Sequence, residues 1–277
     1  MLHAGATQGA KALPDLLALA QSGAQPPLVR ATAAQMLAPL MRPRMLQPAR
    51  ELLKDPDPEV RIAALAMIEP VDPVDPVNRV LAAGPLLADP VRGVRIEAAR
   101  VLAGVPESQM PESRRGAYRR ALDEYIAAQR QDADWPTANL NLGNLYLRLG
   151  RFDDAVAAFR RALKLDPQFA QAWVNLADAW RIQGREQEVE ASLREGLATL
   201  PRSADLLHAL GLAQVRKGDR TPALASLAQA AKLAPDRARY AYVWAVALHS
   251  TGRPQEAIAA LREADRRHPY DLSLIHI

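Results

Sequence analysis

Proline recurs at positions 167, 201, 235 and 269, and glycine at 150, 184, 218 and 252, so two independent series share one period of 34 residues. A chain with this period must stack copies of one small unit. Each copy is too short to close a core alone and has to bury its apolar surface against the next. The two residues punctuate the unit differently. Glycine reaches the left-handed backbone that ends a helix without steric cost, whereas proline cannot continue one. The expected unit is a helix stopped at the glycine, a second helix closed before the proline, and a turn into the next copy.

The residues between these stops fit paired helices. Small side chains stand where helices must approach closely: Gly143, Ala177, Gly211 and Ala245 on the first helix, Ala155, Val189, Ala223 and Ala257 on the second, then Ala162, Gly196, Ala230 and Ala264. Large apolar residues lie between them, Leu142, Leu176, Leu210 and Trp244 on first helices and Phe159, Leu193, Leu227 and Leu261 on second helices. Each hairpin so carries one stripe for its own partner and one for its neighbour. Hydrophobic residues are 49% of the chain and aromatics only 5%, a balance suited to close-packed helices and not to strands.

This pattern resembles the tetratricopeptide repeat family. Residues 136–169 carry Asn-Leu-Gly-Asn-Leu-Tyr from Asn141, then Ala155, Phe159, Ala162 and Leu165-Asp166-Pro167 in the family's positions. Repeats 170–203, with Trp173 at the family's tryptophan, 204–237 and 238–271 follow. Val189, Gly196 and Gln214 depart from the pattern and are expected to loosen packing. Upstream, Val-Arg segments open at Val29, Val60 and Val94, each with Ala four residues on and Leu or Ile eight on, and Asp55-Pro56 and Asp89-Pro90 precede two of them. An acid and a proline suit a turn and the first residues of a helix. These segments resemble HEAT repeats. The expected organisation is HEAT-like helical pairs over 1–103, a linker and bridging helix over 104–135, and four tetratricopeptide repeats over 136–271. Pro70–Arg79 reads as a stiff loop. The resemblances imply an all-α, right-handed superhelical α-solenoid.

Both ends are abrupt. Leu272–Ile277, Leu-Ser-Leu-Ile-His-Ile, is the translation of a transposase-based sequencing adapter and is expected to be an artefact, with the repeat array continuing in the natural frame. Met1 is likewise expected to be internal to a longer frame.

Little in the sequence points to catalysis. There is no cysteine, which excludes disulfides, thiolate metal sites and thioether-bound haem within these residues. His3, His208, His249, His268 and His276 show no metal-ligand spacing, the glycines are helix stops and not a phosphate loop, and Asp153-Asp154 opens a second helix, where acids favour the positive helix end. Acids and bases interleave around a net charge of +4, unlike the basic stripe of a nucleic-acid binder. No apolar run is long enough to span a membrane. Lys11 and Asp15 interrupt the start as a signal peptide. The compartment stays open: cytoplasmic for a complete chain, periplasmic for a fragment of an exported protein.

The tetratricopeptide resemblance implies a concave groove lined by first helices, to which positions two, five, six, nine and twelve of each repeat contribute. The expected partner-binding residues are Asn141, Asn144, Asn175, Asp178, Arg181, His208, Arg239, Tyr242 and His249. The asparagines could hydrogen-bond an extended peptide. The lysine pair with which some relatives clamp a carboxylate terminus is absent, and the groove is expected to turn apolar towards repeats three and four. The whole arrangement, with LDEYIAAQRQDADWP and RYAYVWAVALHSTGR, also resembles the C-terminal region of bacterial multihaem c-type cytochromes that carry tetratricopeptide repeats. That resemblance implies haem c on a missing N-terminal region and docking of a redox partner or of the protein's own missing domain. The alternatives are a free-standing cytoplasmic adaptor that binds peptides in its groove, and the regulatory arm of an enzyme whose catalytic domain lies elsewhere.

Overall fold

The computed structural model describes residues 12–41, 46–68 and 76–267. Among these residues all regular structure is helical, with no strand. His3, His268, Pro269, His276, the adapter-like Leu272–Ile277 and most of the expected stiff loop lie outside the described residues. The chain divides into two compact units, Met1–Gln131 and Asp132–Ile277.

The first unit contains α1 (Leu13–Gln21), α2 (Pro27–Leu37), α3 (Leu46–Leu52), α4 (Pro58–Ile68), α5 (Pro76–Ala83), α6 (Arg92–Leu102) and α7 (Glu112–Gln131). The three Val-Arg segments open α2, α4 and α6, the helices that pack side by side through the unit; α6 in turn packs on α7. Leu16, Leu37, Leu65, Met67, Ile68, Leu102 and Tyr118 fill one continuous core. The helix expected to bridge the two arrays is thus part of the first unit's core.

The arginines of those segments form a ladder. Arg30 pairs with Asp55. The Arg61 Nε and Nη2 donate to the two carboxylate oxygens of Asp89 at 2.9 and 3.0 Å, while its Nη1 donates to the carbonyls of Asp55 and Pro56 at 2.7 and 3.0 Å. Arg95 repeats the arrangement, with Glu124 of α7 at 3.0 and 2.8 Å and the carbonyls of Asp89 and Pro90 at 2.9 and 3.1 Å. Each aspartate also closes its own turn, Asp55 accepting from the Asp57 N–H at 3.0 Å and Asp89 from the Val91 N–H at 2.9 Å. The Asp-Pro elements therefore do more than start helices: they fasten each repeat to the arginine of the one before.

Among the described residues the second unit holds four helix pairs: α8 (Pro136–Arg148) with α9 (Phe152–Leu165), α10 (Ala170–Ile182) with α11 (Glu186–Thr199), α12 (Ala204–Lys217) with α13 (Arg220–Leu233), and α14 (Ala238–Ser250) with α15 (Pro254–Arg267). All four periodic glycines take positive φ. The backbone N–H that follows each one reaches back to close the helix end, as from Arg151 to the Tyr146 carbonyl at 2.8 Å, the Schellman arrangement. α9, α11 and α13 each end two residues before Pro167, Pro201 and Pro235. The stripe residues are buried as expected, except that Trp244 and Leu261 of the last pair stay half-buried. Among the described residues no helix follows α15 to cover them.

Two expected weak points turn out to be filled. A Cβ at Gly196 would lie 2.8 Å from the Trp173 ring and 3.0 Å from Leu206, so this glycine makes room for the tryptophan and does not loosen the contact. Gln214 stands where repeats one and two place Tyr146 and Trp180, which are capped by the guanidinium groups of Arg151 and Arg185 at 4.4 and 4.2 Å. Repeat three has Asp219 at that arginine position. Gln214 instead accepts from the buried Ser226 hydroxyl at 2.9 Å, a polar pair that satisfies itself inside the hairpin.

Arg61 and Asp89 are each only 9% exposed, so Arg61→Ala strands a buried carboxylate and should cost about 3–5 kcal/mol in the unfolding of the first unit. Arg119→Ala, which breaks an exposed pair with Glu107, should leave the urea midpoint unchanged. In the second unit, a Cβ at Gly143 would meet the Phe159 ring at 2.3 Å. Gly143→Ala should therefore destabilise that unit by about 1–3 kcal/mol through overpacking, read from its melting transition.

Candidate functional site

The first helices of repeats two to four, α10, α12 and α14, enclose a groove of about 810 Å³. Val174, Ala177, Ala209 and Leu212 supply its apolar wall. Its polar groups come from three first helices, from Arg216 at the end of α12, and from Asp236 and Arg237 in the turn before α14.

At the centre, the rings of His208 and Tyr240 stack with centroids 4.3 Å apart and planes 21° apart. The Tyr240 hydroxyl donates to Asp205. Arg237 donates to Asp205 and, at 2.8 Å, to the Tyr240 hydroxyl oxygen, and its guanidinium lies 5.4 Å from the centre of that ring. This triad neutralises Asp205 and ties the start of repeat four to repeat three. Burial, then the Asp205 carboxylate, raises the Tyr240 pKa.

His208 is 7% exposed, and neither ring nitrogen has a hydrogen-bond partner. Burial first, and the charge of Arg239 second, lower its pKa from 6.5 to about 4 against the opposing pull of Asp205. The ring is neutral at pH 7 and offers one donor and one acceptor. Arg239 is exposed and has no ion-pair partner among the described residues. The remaining arginines are engaged, Arg181 with Asp178 at 2.9 Å and Arg216 with Glu186 at 3.1 Å.

Of the residues expected from sequence, Asp178, Arg181, His208 and Arg239 come together here. Asn144 and Asn175 lie elsewhere and bond to each other, Asn175 donating to Asn144 at 2.7 Å and accepting from Gln171 at 2.6 Å. Asn141, Tyr242 and His249 do not line this groove. The stretch expected to turn apolar is charged, because the turn before α14 brings Asp236 and Arg237 into it, and a reading confined to helix positions does not count turn residues. Tyr240, the residue that organises the cluster, was also missed. It occupies position three of its repeat, where the others carry Ala138, Ala172 and Leu206, and a phenol at an apolar packing position was the signal available. Among the described residues no three His, Asp or Glu side chains group as ligands for a metal ion, and no helix is long and apolar enough to cross a membrane.

The excluded proton on His208 has a defined cost. Between pH 6.5 and about 4 the unfolded chain binds a proton that the folded chain refuses, so stability falls as pH is lowered through this window and is insensitive to this group above it. His208→Phe keeps the stacked ring and removes the proton, and it leaves Arg239, Asp205, Tyr240 and Arg237 in place. Urea unfolding of the second unit should show a smaller loss between pH 6.5 and 4 in His208→Phe than in the wild type.

Comparison with known proteins places these helices. The family model described as Tetratricopeptide repeat matches residues 112–168, 140–204 and 208–271, together more than half of the chain. That described as HEAT repeats matches residues 13–103. No curated protein matches the chain. Similar solved structures include MamA (21% identity, 59% of this chain and 98% of that one, TM-score 0.47) and the tetratricopeptide protein TTC0263 of Thermus thermophilus (27% identity, 57% and 87%, TM-score 0.47). A third is YrrB, described as a tetratricopeptide protein with an unusual peptide-binding site (20% identity, 66% and 89%, TM-score 0.43). The assignment rests on the family match and on the helix pairs described above: this chain belongs to the tetratricopeptide repeat family, with HEAT-like repeats ahead of that array.

Proposed function

We propose that the protein is a non-catalytic protein–protein interaction scaffold whose groove between α10, α12 and α14 receives an extended segment of a partner. The observation that carries this reading is the groove itself: about 810 Å³, with an apolar wall for side chains and the charged groups of Asp178, Arg181, Asp205 and Arg239 along it. Membership of a repeat family whose members present such surfaces supports the same reading. The finer reading, the helical part of a larger exported multihaem cytochrome, rests on resemblance alone. Neither family match concerns a haem protein, and the chain has no cysteine with which to attach one.

A random linear-peptide library displayed on phage and selected on the full chain tests this. Ala209→Trp fills the groove from its wall and should abolish binding of the selected peptides while leaving the circular dichroism spectrum and melting transition intact. Selected peptides that bind Ala209→Trp as well as they bind the wild type would refute the groove as the docking site.

A further inference from the structure

We infer that a crevice between repeats three and four, separate from the groove, is a binding site for a small aromatic carboxylate. The crevice has a volume of about 610 Å³ and is walled by α13, by the second half of α14 and by the turn into α15. That volume holds a small organic ligand. The crevice shares no lining residue with the groove.

The earlier repeats show what shape fits. At the matching place in repeat two the Trp180 indole fills the space, with the Arg185 guanidinium on it at 4.2 Å and Arg160 of α9 at 5.5 Å. Glu188 holds Arg185 there at 2.9 Å. Two periods on, Glu256 holds Arg253 in the same way, at 2.7 and 2.6 Å. Its ring, however, is replaced: Leu248 stands at the position of Trp180, and Arg253 lies over no aromatic ring among the described residues. The aromatic has moved to Trp244, where repeat two has Leu176, about 6 Å back along the helix. On the other side Ala228 takes the place of Arg160. Leucine and alanine are too small to occupy the space of an indole and a guanidinium, so repeat four keeps the clamp without the ring. A guanidinium whose edge is engaged by a carboxylate still offers its face to a π system. Half-buried Trp244 and Leu224 supply the apolar wall against which a bound ring lies.

The charge of the ligand is set by the residues around it. No acid lines the crevice. Glu256 already offsets Arg253. Arg220 stands where repeats one and two have Phe152 and Glu186, is exposed, and has no ion-pair partner among the described residues. One uncompensated guanidinium matches one negative charge, and its planar fork matches a carboxylate. The Thr221 hydroxyl, also on the crevice wall, is a further donor to the same group.

The probe is naphthoate, titrated into the full chain by isothermal titration calorimetry beside the uncharged naphthamide and the non-aromatic octanoate. Naphthoate should saturate a single site, and the other two should bind about tenfold or more weakly, the loss expected for a charged hydrogen bond or for the ring contacts. Arg220→Ala should weaken naphthoate about tenfold and leave naphthamide unchanged. The paired exchange Trp244→Leu with Leu248→Trp rebuilds the arrangement of repeat two and should abolish binding of the probe. Ala228→Arg, which restores the residue of repeat one, should do the same. Arg220 is exposed, so Arg220→Ala decides the matter even where a filling variant fails to fold by circular dichroism. Ala209→Trp, in the groove, should bind naphthoate as the wild type does. Absence of saturable naphthoate binding, or an affinity unchanged by Arg220→Ala or by Ala228→Arg, would overturn the site. Octanoate binding as tightly as naphthoate would overturn the aromatic ligand. Loss of naphthoate binding on Ala209→Trp would move the probe to the groove and overturn the crevice, with the scaffold reading left standing.

Discussion

A helix pair of about thirty residues has two apolar faces and can cover only one of them with itself. Every other feature of the second unit follows from how closely the uncovered faces can meet. Gly143 admits the Phe159 ring, Gly211 admits Leu227 and Gly196 admits Trp173, so a large apolar side chain on one helix is set against a glycine on its neighbour. Where the pattern lapses, another device takes its place. Repeat three gives up the arginine-capped aromatic of repeats one and two and buries a Ser226–Gln214 hydrogen bond instead. The fold therefore tolerates exchange of chemistry at a position as long as volume and hydrogen bonding are both satisfied.

The first unit solves the same problem with shorter, less regular helices, and relies more on polar contacts between repeats. Its arginine ladder is a set of charges taken out of water, which is costly unless each is fully paired. Full pairing is what the geometry provides: Arg61 spends its donors on one carboxylate and two carbonyls, and that carboxylate also accepts a turn N–H. The last rung, Arg95 to Glu124, is more exposed and ties α7 to the first unit, although the tetratricopeptide match already begins at the first residue of that helix.

Like the first core, which buries the Tyr118 hydroxyl without a partner, the groove leaves a polar group unfinished. Asp205, Arg237 and Tyr240 form a closed set, and the two hairpins are locked by it. His208, stacked on the same tyrosine, is excluded from that set and retains a donor and an acceptor. Its place on the wall of a cavity, next to an unpaired arginine, is what separates this cluster from the many exposed ion pairs on the helix surfaces.

Periodicity alone determined the helical class and the helix stops of the second unit, because the left-handed turn and the helix stop are local demands that only a few residue types meet. It also placed the three Val-Arg helix starts; the tetratricopeptide resemblance, and not the period, pointed to Asp178, Arg181, His208 and Arg239, which line one cavity. It could not show that Arg30, Arg61 and Arg95 reach acids 25 to 29 residues away, nor that Asn144 and Asn175 satisfy each other. Nor could it show that a turn carries charge into a groove read as apolar. Those outcomes depend on which side chains from different repeats are brought within hydrogen-bonding distance. That distance is set by the packing of one helix pair on the next and has no local signature in the chain.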